Sequence, residues 1–237
     1  MPHFFEKVSG ETVQFSPENS KHIIGALRMN VGEKLNVCDD GTEYECELVD
    51  IQKDSAKAKV LRSYKNENEP SVNVALFQCV PKGDKLETVI QKAVELGVAQ
   101  IVPVLSSRCV SRPDEKKAKK KTERYNKIAL SASEQSGRGR VVNVCEQISF
   151  AAALKQLQQF DCTILFYEGG GESLKTIINN QKSFAIFIGP EGGFSPEEVE
   201  VLKANGATVA TLGKRILRTE TAPLAAISAI MLLTDNM

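Results

Sequence analysis

Beyond Pro70 the chain alternates between short apolar runs of strand character and stretches of helical period, and this alternation limits the fold more than any other feature. "VNVALFQCV" reads as a strand, "KLETVIQKAVELG" as a helix closed by Gly97, and "AQIVPVL" as a strand. A long basic helix then runs up to Gly137, and further strands fall at "VVNV", "CTILFY", "SFAIFI" and "ATVATL". Such alternation predicts an α/β unit, a mostly parallel sheet with helices on both faces. Ligands of these sheets bind at the carboxyl ends of the strands. Three loops leave predicted strands with suitable chemistry: "EGGG" after Tyr167, "GPEGG" after Ile188 and "GKRILRTET" after Leu212.

The first seventy residues follow another pattern. "KLNVCDD", "EYECELVDI" and "AKAKVLRSY" are short, partly alternating runs separated by the turn residues of "DDGT" and "QKDS". One helix interrupts them, capped by Ser16 with Pro17 at its first position and continuing through "ENSKHIIGAL". His22 on this helix reads as a packing or surface residue. The polar stretch "KNENEP" reads as a linker, which gives a small β-rich domain over 1–70 and an α/β domain over 71–237.

Charged residues make up 25% of the 237, and no apolar run approaches the roughly 20 residues that span a bilayer. The start "MPHFFEKVSGETVQF" lacks a secretory pattern, so a cytoplasmic protein without membrane contact is expected. The cysteines (Cys38, Cys46, Cys79, Cys109, Cys145, Cys162) form no CxxC pair and only two histidines are present, so reduced thiols and no metal site are expected. The formal charge of zero is unevenly spread. Residues 1–70 hold 9 Lys/Arg against 13 Asp/Glu, whereas Arg108 to Arg140 hold 11 basic against 4 acidic side chains. Such a basic stretch suits a polyanion such as RNA, or forms a solvated helix face.

The glycine loop "GPEGG" precedes a helix, which makes phosphate the first ligand to consider. There is no GxxxxGK[ST] and no GxGxxG, and Ser195 with Glu198 forms an SxxE capping box with Pro196 in the first turn. The helix N-terminus is thus occupied by its own side chains, and a neutral or cationic adenosine ligand held by backbone groups is favoured. "GKRILRTET" adds Lys214, Arg215, Arg218 and Glu220 ahead of a helix apolar almost all round, a pattern of burial in the core or against a second subunit. Two roles are open for the arginines: positioning an anionic substrate, or pairing with Glu191 and Glu220 in a structural network.

Together "IGPEGGFSPEE" and "LGKRILRTETAPLAAI" resemble the signature of the bacterial ribosomal RNA small subunit methyltransferase E family, within the SPOUT superfamily of knotted methyltransferases. The resemblance covers almost the whole chain. "HIIGALRMNVGEKLNVCDDG" is similar to the family's PUA-like barrel, "KLETVIQKAVELGVAQIVPVLSSRC" to the first part of its catalytic domain and "SEQSGR" to an internal motif; Lys214 stands where the family often has proline. The resemblance implies a trefoil-knotted domain, a homodimer, and transfer of a methyl group from S-adenosylmethionine to N3 of a uridine in 16S rRNA near the decoding centre. It also implies a cofactor site at Glu168, at Ile188, Gly189, Pro190, Glu191, Gly192 and Gly193, and at Leu212, Gly213, Arg215, Ile216, Leu217 and Arg218.

For that chemistry Arg218 is expected to stabilise negative charge developing on the uracil, and Glu220 to act as base or orienter. An arginine is too basic to accept a proton itself. RNA phosphates are expected at Arg112, Lys116, Lys117, Lys119, Lys120, Lys121, Arg138 and Arg140, and RNA shape at the acidic N-terminal barrel, with the target base taken out of its stack. Two other functions fit the same residues: methylation of a ribose 2′-hydroxyl or another RNA base, and a non-catalytic RNA-binding role in ribosome assembly.

Overall fold

A computed structural model describes residues 1–110 and 115–237, the side chain of Glu115 excepted. The described chain forms two compact units, Met1–Glu69 with Ser133–Val141, and Pro70–Ala132 with Val142–Met237.

In the first unit, strands β1 (His3–Phe5), β2 (Val8–Ser9) and β3 (Thr12–Gln14) precede helix α1 (Pro17–Lys21). Ser16 caps α1 by accepting from the Asn19 N–H at 3.3 Å, and the chain continues as a π-helical turn over His22–Ala26. His22 is exposed and sits edge-on to the Phe4 ring. Strands β4 (Lys34–Asp39), β5 (Thr42–Gln52) and β6 (Ser55–Lys65) complete a sheet ordered β1-β4-β5-β6-β3-β2, in which only β1 and β4 run parallel. Register shifts between Glu45 and Cys46 and between Leu48 and Asp50 bend the two long strands. Phe4, Val13, Phe15, Ile23, Leu35, Val37 and Leu48 fill the core.

The stretch "KNENEP" ends where the two units divide, between Glu69 and Pro70, and part of it is bound within the first unit. Asn66 is buried and donates to Glu43 Oε1 at 2.6 Å and to the Gly137 carbonyl at 3.1 Å, and Glu69 binds Arg138, Gly139 N–H and Arg140. Its polar residues thus bring the segment 133–141 into the first unit rather than leaving it with 71–237. All six cysteines are free thiols. His3, Cys38 and Glu43 bring metal-type donor atoms within 4.8 Å of one another, yet each already bonds within the protein. His3 Nε2 lies 2.9 Å from Glu43 Oε1, and the Cys38 thiol, pushed up to about 12 by burial and then by Glu43, donates to the Gly139 carbonyl.

The second unit comprises β7 (Asn73–Cys79), α2 (Lys85–Glu95), β8 (Gln100–Leu105), α3 (Glu115–Gln135, whose last turn belongs to the first unit), β9 (Asn143–Val144), β10 (Ile148–Ser149) and α4 (Phe150–Leu154). It ends with β11 (Cys162–Phe166), α5 (Leu174–Ile177), β12 (Ser183–Ile188), α6 (Pro196–Ala204), β13 (Ala207–Ala210) and α7 (Ala222–Leu233). The sheet runs β10-β8-β7-β12-β11-β13, with β9 beside β8, and every pairing is parallel. Both faces are covered, which explains the uninterrupted apolar runs. Val74, Leu76, Phe184 and Ile186 pack with α2, α3 and α7; Ala75, Phe77, Ala185 and Phe187 point the other way, toward α4 and α6. Phe77 and Phe187 stack across neighbouring strands with centroids 4.6 Å apart.

Candidate active site

Because β12, β11 and β13 are adjacent and parallel, the loops after Ile188, Phe166 and Ala210 leave the same edge of the sheet. They enclose a cavity of about 440 Å³. Glu168, Ile188 to Gly193, Leu212, Gly213, Arg215 to Arg218 and Glu220 all line it. Lys85, Tyr167, Phe194, Thr211, Lys214 and Thr219 line it as well. Residues read from three separate stretches of sequence are thus brought together in one place.

The β12 loop is held from several sides. The Gly193 N–H donates to the Pro190 carbonyl at 2.9 Å, which closes a turn, and Gly193 takes φ +65°. A Cβ on Gly193 would collide with Glu168 Oε1, so glycine serves here both for conformation and for close approach. The Arg108 guanidinium donates to the Gly192 carbonyl at 2.7 Å. The capping box read from the sequence is present: Ser195 Oγ accepts from the Glu198 N–H at 3.2 Å and Glu198 Oε2 from the Ser195 N–H at 3.0 Å. Glu198 Oε1 accepts in addition from the Ser107 N–H at 2.7 Å. The N-terminus of α6 is therefore occupied, as the case against phosphate required.

The loop after β13 is tied to its neighbours through Thr219. The buried Thr219 hydroxyl donates to the Gly189 carbonyl at 2.8 Å and accepts from Gln78 Nε2 at 3.1 Å. The Arg218 carbonyl accepts from the Thr221 and Ala222 N–H groups at 2.8 and 2.9 Å, anchoring the backbone to the start of α7. The Arg218 side chain stays exposed on the cavity wall, and among the described residues neither it nor Arg215 forms an ion pair. The structural network that was one of the two roles open for these arginines is formed by Lys85 instead. Its Nζ lies 2.9 Å from Glu191 Oε1 and 3.5 Å from Glu220 Oε2. Burial works against ionisation of Glu191, but the Lys85 ammonium and backbone N–H groups outweigh it and hold the carboxyl below the usual range. Glu191, expected at the cofactor, directs its side chain to Lys85 and the Lys82 N–H. Ile216 turns outward, 82% exposed.

The expected RNA contacts divide. Lys116, Lys117, Lys119 and Lys120 are exposed on α3, and Lys121 is half-buried. Arg112 lies outside the described residues. Arg138 is a correction: its side chain is only 3% exposed, and its guanidinium makes a two-point bond to Glu69 at 2.7 and 2.9 Å. Arg140 shares that carboxylate at 2.9 Å and remains 44% exposed. Lys85, Gln78 and Arg108 were not read as site residues. The available signal was position, since Gln78 is the next-to-last residue of β7 and Lys85 follows the loop at the carboxyl edge of the sheet.

A family model described as an RNA methyltransferase domain matches residues 67–231, and one described as an RNA methyltransferase PUA domain matches residues 15–61. The ribosomal RNA small subunit methyltransferase E of Bacillus subtilis (strain 168) is 38% identical, with 99% of this chain and 98% of that protein covered. The protein of the same name from Mesomycoplasma hyopneumoniae (strain 232) is 36% identical over 79% of each. Among solved structures, that of a ribosomal RNA small subunit methyltransferase E from Neisseria gonorrhoeae bound to S-adenosyl methionine superposes with a TM-score of 0.92, at 35% identity over 98% of both chains. The fold is that of a SPOUT methyltransferase with a PUA-like N-terminal domain. With both family models matched and a relative 38% identical over 99% of it, the chain belongs to the ribosomal RNA small subunit methyltransferase E family.

Proposed function

We propose that this chain transfers a methyl group from S-adenosylmethionine to N3 of a uridine in 16S rRNA. The observation that carries the reading is Arg218. It is a cation on the cavity wall with its backbone anchored and no acidic partner among the described residues, while Lys85 balances the nearby carboxylates. The residues present fit the cofactor. Gly189 to Gly193 offer backbone groups in a narrow cradle, and Glu168 supplies negative charge suited to a sulfonium. When bound, S-adenosylmethionine supplies an electrophilic methyl group.

The chain's own task is to orient the base and favour its anion. The uridine imide has a pKa roughly two units above neutral, so favouring the anion needs about 3 kcal/mol at ~1.4 kcal/mol per unit. The Arg218 guanidinium, aimed at a ring carbonyl oxygen, stabilises the charge that develops as the N3 proton leaves. Glu220 is assigned as acceptor or orienter for that proton. The exposed lysines of α3 are assigned to RNA phosphates, where they act without reading sequence. A homodimer belongs to the same reading and is supported by α7. Beside its buried face of Ala226, Ile227 and Ile230, it carries Ala225 and a 64% exposed Leu232 at helical spacing.

The test is Arg218→Ala in single-turnover methylation of small ribosomal subunits lacking the modification. A fall of roughly 10²–10³-fold, with S-adenosylmethionine still bound, is expected from loss of one preorganised charge donor. A normal rate would remove Arg218 from the chemistry.

A further inference from the structure

Lys85 occupies the first position of α2, and its single ammonium joins two loops of the cavity. It bonds Glu191 Oε1 in the β12 loop at 2.9 Å and faces Glu220 Oε2, ahead of α7, at 3.5 Å. The Glu220 Oε2 atom is buried and accepts no hydrogen bond, and Lys85 is its one ion-pair partner among the described residues. The other charged groups lining the cavity are Glu168, Lys214, Arg215 and Arg218.

We propose that Lys85 is a positioning residue for the methyl transfer, holding the Glu220 carboxylate on the cavity wall and offsetting the Glu191–Glu220 charge, so that the base loses its imide proton beside Arg218. The proposal rests on the uridine reading given above. Two uncompensated carboxylates beside the base would oppose formation of its anion. An opposite charge within a few ångström shifts a pKa by roughly 1–3 units, and because Lys85 acts through the carboxylates it touches, the low end of that range is taken. Lys85 thus acts through Glu220 and Glu191 and takes no proton itself.

The test measures the single-turnover rate against pH for the wild type, Lys85→Gln and Lys85→Arg, with S-adenosylmethionine affinity and melting temperature determined alongside. Loss of the charge in Lys85→Gln moves the rising limb of the rate profile up by about one unit and lowers the neutral-pH rate roughly tenfold, with cofactor affinity close to wild type. Lys85→Arg restores the limb. A residue that merely stapled two loops would lower the melting temperature or cofactor affinity and leave the limb in place, and that result overturns the proposal. Should Lys85→Gln fail to fold, Lys85→Arg decides: a displaced limb in this charge-retaining variant refutes it equally. Absence of N3-methyluridine from the wild-type reaction would instead refute the uridine reading on which it rests.

Discussion

Replacing Gly193 by alanine tests whether the β12 loop is held in the conformation described. Gly193 has φ +65°, and a Cβ there would strike the Glu168 carboxylate. That carboxylate ends a flexible side chain and can swing away, so the lasting cost is the left-handed backbone, about 1–2 kcal/mol for a residue with a Cβ. The cost has two places to appear. If the loop keeps its shape, the fold carries it and the melting temperature drops by roughly 2–8 °C, at about 2–4 °C per kcal/mol for a domain of this size. If the loop relaxes, S-adenosylmethionine affinity falls by about 5–30-fold, and the two losses together account for the same 1–2 kcal/mol. Gly192→Ala supplies the control. Its Cβ would meet the Arg108 side chain at 3.5 Å, an ordinary contact, and its φ is not in the left-handed region, so the melting temperature should hold. Calorimetric melting and titration with S-adenosylmethionine measure both quantities. A Gly193→Ala protein with the stability and affinity of the wild type would refute the account of the loop.

Two further predictions concern charge. Burial of Glu69 opposes its ionisation, but Arg138 first and then Arg140 and the Gly139 N–H hold its carboxyl below the ordinary range. A lowered folded-state value means that its contribution to stability is fully present above the unfolded carboxylate pKa and is lost as pH falls through the folded value. Glu69→Gln should therefore flatten acid denaturation of the first unit and cost roughly 3 kcal/mol at neutral pH, because the buried Arg138 loses the charge of Glu69. Circular dichroism melts across acidic pH measure both effects, and an unchanged acid limb would refute them. If Lys116, Lys119 and Lys120 contact phosphates, replacing all three with glutamine should reduce the slope of log affinity for rRNA against log salt by about 2–3. An unchanged slope would make α3 a solvated face.

Most of the second unit was legible because its signals are local. Strand length, the helix period, Gly97 as a terminator and the Ser195–Glu198 box each involve neighbours in sequence, and loops that follow parallel strands are bound to share an edge. What could not be read depended on partners distant in the chain. Arg138 looked like a phosphate contact because its charge was visible while its carboxylate partner, Glu69, lay far upstream. The polar "KNENEP" stretch looked solvated for the converse reason. Lys85 passed as the unremarkable start of an amphipathic helix, although it provides the counter-charge to Glu191 and Glu220 that was one of two roles open for Arg215 and Arg218. With Lys85 in that place, Arg218 is left without an ion pair among the described residues.

The most direct test of the central claim is to incubate the protein with methyl-labelled S-adenosylmethionine and small ribosomal subunits lacking the modification, digest the RNA and identify the labelled nucleoside by mass spectrometry. The account predicts N3-methyluridine in the 16S rRNA. Label on a ribose 2′-oxygen or on another base, or no transfer by a protein that binds the cofactor, would contradict it.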